Sequence, residues 1–260
     1  MKDQLQRTIT IQHTPKRIVS LVPSQTELLV DLGLEETIVG VTKFCVHPKH
    51  LRKEKTVVGG TKQVYFDKIK ALKPDIILCN KEENTKEMIS ELEKIAPVHI
   101  SDIYTIEDSL ELIKMYGDLF NKTENANTIV DEISIKLNAF DELKSKHPKL
   151  KVAYFIWKNP WMVAGNQTFI NEMLSINNFE NVYQDVNRYP EITLSELKER
   201  QPDVVLLSSE PYPFKDSDID EFKSACPDIK VNIVDGEAFS WYGSRLLKAF
   251  DYFEELQKII

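Results

Sequence analysis

Ten residues of this chain occur twice in altered form, and this duplication restricts the possible folds more than any other feature. Ile69-Lys-Ala-Leu-Lys-Pro-Asp-Ile-Ile-Leu78 matches Leu197-Lys-Glu-Arg-Gln-Pro-Asp-Val-Val-Leu206, an offset of 128 residues from Pro74 to Pro202. Each copy reads as a helix end, a Pro-Asp break and a buried strand. Proline disfavours helix in the residue before it, and the apolar run that follows fits a strand covered on both faces. Ile95-Ala-Pro97 matches Ala225-Cys-Pro227 at nearly the same offset, now 130. Two lobes with the same order of elements follow from this. Between the copies, Ile129, Ile133, Leu137 and Phe140 fall on one helical face. Thr123 can cap that helix and Pro148 stops it, so it is expected from Thr123 to His147, a rod of about 35 Å. The expected division is an N-terminal α/β lobe over 1–105, a helical connection with the long backbone helix over 106–148, and a C-terminal α/β lobe over 149–260.

Along the chain, Arg7 to Gln12 alternates polar and apolar residues as an edge strand would. Strands are expected at Arg17–Val22, Thr37–Val41, Asp75–Cys79, Val98–Ile100 and Lys151–Trp157. Helices are expected at Phe66–Leu72, Thr85–Ile95 and about Thr168–Ile176. Ser24-Gln-Thr-Glu27 has the form of a capping box for the first helix, which Gly33 ends, and Thr105-Ile-Glu-Asp108 caps a later one. Strands alternating with helices predict an α/β protein: two similar lobes with mainly parallel sheets, joined by one long backbone helix.

Open α/β sheets bind ligands beyond the carboxyl ends of their strands, and two such lobes would present those ends to a shared crevice. The ligand-binding candidates are therefore Pro23, Phe44, His47, Thr61, Lys62 and Asn80 in the first lobe. In the second they are Trp157, Trp161, Arg188, Trp241, Tyr242 and Arg245. All three tryptophans of the chain fall in this set. Indoles offer large contact area with little entropy to lose, so they predict a wide apolar ligand face. Lys62, Arg188 and Arg245 could meet carboxylates or phosphate on the ligand.

Catalytic signatures are lacking: the chain has no GxSxG, GxGxxG, phosphate loop or HExxH. No catalytic residue, cofactor or metal site is expected. His47-Pro-Lys-His50 is a close histidine pair, but Pro48 breaks regular spacing to Cys45 and Glu54, and a zinc site needs three or four ligands. Glu35-Glu36 and Glu82-Glu83 read as solvated turns. A net charge of −8 argues against nucleic acid as a partner. No apolar run is long enough for a membrane span, and Met1 to Thr8 lacks the apolar core of a signal peptide. Cys45, Cys79 and Cys226 are odd in number with no CxxC spacing, so no disulfide framework is expected.

Arg7-Thr-Ile-Thr-Ile, Pro15-Lys-Arg-Ile-Val-Ser-Leu-Val-Pro-Ser-Gln-Thr-Glu-Leu, Val39-Gly-Val-Thr, Val58-Gly-Gly-Thr-Lys and Leu72-Lys-Pro-Asp-Ile-Ile resemble the solute-binding proteins of cobalamin and iron-siderophore ABC importers. The resemblance runs from about Arg7 to the C-terminus. It implies two lobes on a rigid helix, little closure on binding and no chemistry. It further implies a monomer at the periplasm or cell envelope that hands a bulky metal chelate to a permease and its ATPase, while the lack of a signal-peptide core leaves a cytoplasmic location open. Docking in this family uses an acidic residue on each lobe. The first-lobe position falls at Lys86, which moves the role to Glu83 or Glu87, with Glu210 on the second lobe. The family tryptophan after the Pro-Asp strand is Asn80 here, so a corrinoid pose does not carry over intact. Two other classes are open. A free zinc or manganese receptor would need converging histidines, and the five here are scattered at 13, 47, 50, 99 and 147. A cofactor-binding protein of nitrogenase-like architecture would need cysteines at strand ends, which Cys45 alone meets.

Overall fold

The structure, a computed structural model, describes residues 1–144 and 147–260. The chain forms two compact α/β units. One comprises Met1–Ile133 with Tyr242–Arg245, the other Ser134–Trp241 with Leu246–Ile260.

The first unit holds a parallel sheet of β1 (Ile18–Ser20), β2 (Ile38–Val41), β3 (Thr56–Val57), β4 (Ile76–Asn80) and β5 (Val98–Ser101), in the order β3-β2-β1-β4-β5. Its helices are α1 (Pro23–Asp31), α2 (Leu51–Glu54), α3 (Phe66–Ala71), α4 (Lys86–Leu92) and α5 (Ile106–Leu119). Every residue of β1, β4 and β5 is buried, as expected of parallel strands covered on both faces. Val19, Leu21, Ile77, Cys79 and Ile100 form one core with Ile69 and Leu92 from the helices.

Helix α6 (Thr123–Lys144) is the longest, at 22 residues, and is divided between the two units. Its expected end at His147 crosses residues 145 and 146, which lie outside the described residues. His147 itself is a bend.

The second unit holds β6 (Leu150–Trp157), β7 (Trp161–Val163), β8 (Phe179–Asn181), β9 (Glu191–Ile192), β10 (Val204–Ser208) and β11 (Lys230–Val234). The order is β11-β10-β6-β7-β9, with β8 on the first part of β6. β10, β11, β6 and β8 pair in parallel, whereas β7 and β9 run antiparallel, which makes this sheet mixed. Its helices are α7 (Phe169–Ile176), α8 (Leu194–Arg200), α9 (Asp216–Ala225), α10 (Gly236–Ser240) and α11 (Leu246–Ile259). Phe140 of α6 meets Phe250 and Phe253 of α11 with ring centroids 5.9 and 6.0 Å apart.

The duplicated Pro-Asp does the same work twice. Lys73 and Gln201, each just before the proline, take left-handed φ values of 46° and 50° that end α3 and α8. The Asp75 carboxylate then accepts from the Lys16 and Arg17 amides at 2.8 and 3.0 Å, and the Asp75 amide donates to the Arg17 carbonyl at 2.8 Å. Asp203 repeats this on Lys151, accepting at 2.7 Å and donating at 2.8 Å. In both units the motif aligns the start of a central strand with its neighbour.

Two local readings are corrected. Arg7 to Gln12 is not a strand; the segment makes one bridge, Lys2 to Thr8. There the Asp3 carboxylate accepts from the Leu5 and Arg7 amides, and the Arg7 guanidinium reaches Asp3, Glu93 and the Val98 carbonyl. Nor does Ser24 cap α1. The helix starts two residues earlier than a Ser24 cap would give, with Pro23 at its first position and Val22 before it, because proline's fixed φ suits that position and its missing N–H costs nothing there. Glu27 is thereby freed to pair with Arg245.

Candidate functional site at the strand ends

All five strands of the first unit are parallel, so the loops after β1, β2, β3, β4 and β5 gather at one edge. The loop after β2 is tightly wound. The Cys45 amide donates to the Thr42 carbonyl at 3.2 Å, and the Cys45 sulfur lies 3.1 and 3.3 Å from the Thr26 and Thr42 hydroxyls. With Cys45 turned inward, Phe44 is left 48% exposed. The Lys43 ammonium sits 4.9 Å from the Phe44 ring centroid. Gly60 lies beneath the ring: a Cβ there would come within 3.2 Å of Phe44. Burial pushes the Cys45 thiol pKa up, which disfavours a reactive thiolate.

The loop after β4 is fixed by two asparagines. The Asn80 side-chain oxygen accepts from the Glu82 and Glu83 amides at 2.8 and 3.1 Å, while its NH2 donates to the Ser101 hydroxyl at 2.9 Å. Asn84 accepts from the Asn80 amide and donates to the Thr61 carbonyl, each at 2.8 Å. Lys62 is exposed and donates to the Glu82 carbonyl at 2.5 Å. His47 and Thr61 are half-buried, Pro23 is buried, and Asn80 is 3% exposed. Glu83 is half-buried, whereas Lys86 and Glu87 on the first turn of α4 are exposed.

Tyr242 and Arg245 belong to this unit. The Gln25 amide donates to the Tyr242 hydroxyl at 3.0 Å and to Ser101 at 2.6 Å, and the Tyr116 hydroxyl donates to Gln25 at 2.6 Å. Arg245 Nε donates to Glu27 at 2.8 Å, and both residues are buried. This polar network was not foreseen. Its signal was a row of polar residues, Ser24 to Glu27, on a helix that the apolar pattern alone would leave half-solvated.

In the second unit, Trp157 closes β6, 39% exposed, with its ring edge-on to Tyr212 at 5.6 Å. Trp161 opens β7 and is half-buried: it stacks on Phe214 at 6.2 Å and meets Phe155 and Phe222 edge-on at 5.7 and 4.7 Å. The Lys158 ammonium lies 5.3 Å from its ring centroid and bridges Asp218 and Glu221, each at 2.6 Å. Arg188 is half-buried, donates to the Gln167 carbonyl at 3.0 Å and lies 5.6 Å over the Tyr189 ring. Trp241 is 8% exposed and donates from Nε1 to Glu210 at 2.8 Å. Glu210 also accepts from the Ser240 hydroxyl at 2.9 Å, and burial pushes its pKa up. Of the expected ligand residues, then, Phe44, Lys62 and Trp157 are exposed, while Pro23, Asn80, Trp241, Tyr242 and Arg245 are buried.

In the first unit the exposed Phe44 ring lies beside the Lys43 ammonium, and in the second the exposed Trp157 ring lies beside Tyr212. Among the described residues, no helix is long and apolar enough to cross a membrane.

Known proteins are similar to this chain in sequence and fold. A vitamin B12-binding protein of Pectobacterium carotovorum is 25% identical over 240 residues, covering 90% of this chain and 86% of the relative. An uncharacterized ABC transporter substrate-binding lipoprotein of Bacillus subtilis, YvrC, is 28% identical over 212 residues, covering 78% of this chain and 67% of its own. A crystal structure from Staphylococcus epidermidis, described as a possible iron-binding (periplasmic solute-binding) protein, superposes with a TM-score of 0.79 at 25% identity. It covers 95% of this chain and 98% of that one. The family profile described as periplasmic binding protein matches residues 18–227. Its members carry a transported solute rather than a cofactor, and the protein is not an enzyme. With its two α/β units, its long helix and a family match across most of its length, the chain belongs to the periplasmic binding protein family.

Proposed function

We propose that this protein captures a bulky metal chelate, a cobalamin-type corrinoid or a ferric siderophore, and delivers it to an ABC permease and its ATPase at the cell envelope. The observation that carries this reading is the pair of exposed aromatic side chains, Phe44 and Trp157, each held at a parallel strand end by local packing. An apolar ring system gains burial against such faces, at roughly 25 cal/mol per Å2 removed from water, while Lys43 and Lys62 offer charge to its polar edge. The names of the B12-binding and possible iron-binding relatives support the same ligand class. In this reading the lobes over 1–105 and 149–260 carry the ligand contacts, and the helices over 106–148 join them. The protein acts as a monomer, and Glu83 or Glu87, with Glu210, meets the permease. Exposure favours Glu87 over Glu83 for the first-lobe contact, because Glu83 is half-buried and Glu87 is exposed.

The test is titration of the full chain with cyanocobalamin, hydroxocobalamin, haem and a panel of ferric siderophores, followed by absorbance and calorimetry. One chelate is expected to bind at a 1:1 ratio with a Kd below about 10 µM. Failure of every cobalamin and ferric siderophore to bind would overturn the assignment, and haem binding alone would redirect it.

A further inference from the structure

The first unit brings Glu35 to His50 and Glu54, a pair of possible metal ligands four residues apart. Glu35 begins the 3-10 turn Glu35–Thr37 that leads into β2, His50 precedes α2, and Glu54 ends it. Their donor atoms all lie within 4.8 Å of one another, and His50 Nε2 is 2.7 Å from a Glu35 carboxylate oxygen. We propose that Glu35, His50 and Glu54 form a surface site for one divalent transition cation of the Zn2+ kind.

Geometry and chemistry both point this way. His50 has helical backbone angles, so His50 and Glu54 stand four residues apart on one face of the same turn. The two elements are anchored independently of the three side chains. The Thr37 hydroxyl and amide both donate to the Leu34 carbonyl, at 2.6 and 2.9 Å, and Arg52 ties α2 to the Lys43 carbonyl at 3.0 Å. An imidazole with two carboxylates suits zinc, whereas magnesium and calcium prefer all-oxygen sets. Tetrahedral ligands about 2.1 Å from zinc stand about 3.4 Å apart, a spacing that small rotations of half-buried and exposed side chains can reach. Water would complete the shell. None of the three side chains belongs to the proposed ligand face, and the elements carrying them precede β2 and β3, whereas Phe44 and Thr61 follow those strands. Its test therefore does not depend on the chelate reading.

The experiment is calorimetric titration of the full chain with ZnCl2, against Glu35→Gln, His50→Ala and Glu54→Gln. One Zn2+ per chain is expected, with affinity reduced about tenfold or more in each variant and metal-free melting points nearly unchanged, because these side chains reach the surface. A second reading on the unaltered protein does not depend on variant folding: the His50 imidazole resonances should shift on Zn2+ addition. The proposal fails if no Zn2+ binds, if His50→Ala binds as tightly as the parent, if the His50 resonances stay still, or if millimolar Mg2+ displaces Zn2+. The last result would describe a non-selective acidic patch.

Discussion

His99 on β5 is fully buried, and among the described residues neither ring nitrogen has a hydrogen-bond partner. Its ring meets Tyr116 edge-on at 5.3 Å. Burial holds its pKa down at about 4, against an ordinary value near 6.5, with Asp3 opposing that shift and Arg7 adding to it. The unfolded chain therefore binds this proton before the folded one does, and stability falls as pH drops from 6.5 toward 4. At about 1.4 kcal/mol per pH unit, the loss between pH 7 and pH 5 is about 2 kcal/mol. Urea unfolding at the two pH values should record it, and His99→Phe should flatten the difference. A variant that loses as much as the parent would show that other groups set the acid sensitivity. Gly165 is constrained sterically instead. A Cβ there would lie 2.2 Å from the Val186 carbonyl oxygen and 3.1 Å from that of Tyr183, both backbone atoms that cannot swing aside. Gly165→Ala should cost about 1–3 kcal/mol by thermal melting, and an unchanged melting point would mean that the 183–188 loop yields freely.

At the scale of elements, the repeated Pro-Asp makes a paired prediction. Among the described residues, Asp75 accepts from two backbone amides and Asp203 from one, each aligning a central strand. Charge-assisted bonds of this kind contribute about 1.5–3 kcal/mol. Asp75→Ala should therefore destabilise more than Asp203→Ala, while Asp75→Asn, which keeps an acceptor oxygen, should recover much of the loss. Denaturant midpoints for the three variants decide it; equal and negligible effects would make the motif ornamental. This motif also shows why so much of the fold was legible. Buried parallel strands are continuous apolar runs, and proline with a left-handed residue before it marks the end of a helix, so β1, β4, α3 and their counterparts could be read directly. Arg7 to Gln12 misled because alternation is a short-range signal, and the Asp3 carboxylate took the amides that a strand would have paired. The Ser24–Glu27 box misled for a related reason: Pro23 supplies a start signal one residue earlier, and Glu27 has a partner 218 residues away, at Arg245. The antiparallel β7 and β9 were missed because they are three and two residues long, too short for any periodicity.

Over the whole molecule, sequence reasoning located the strand-end loops but did not determine which of their side chains reach solvent. Trp157 and Trp161 are equivalent as letters, yet one is exposed and the other packs on Phe155, Phe214 and Phe222. That depends on the turn between β6 and β7 and on residues of α9 far along the chain. The difference makes a sharp test of the chelate reading. Ligand at a hundredfold its Kd stabilises the native state by about 2.7 kcal/mol. For a chain of this size that is a rise of roughly 5–10 °C in melting point, at about 2–4 °C per kcal/mol. Trp157→Ala and Phe44→Ala should leave the ligand-free melting point nearly where it is and shrink the rise produced by whichever chelate binds. Trp161→Ala should do the reverse: removing a packed indole costs about 3 kcal/mol, so the ligand-free protein should melt several degrees lower while a similar rise on binding remains. If Trp157→Ala and Phe44→Ala both keep the full rise, the chelate is held elsewhere on the chain. If Trp161→Ala instead loses the rise without lowering the ligand-free melting point, the indole packed against Phe214 is the ligand contact, and exposure is the wrong guide to this face.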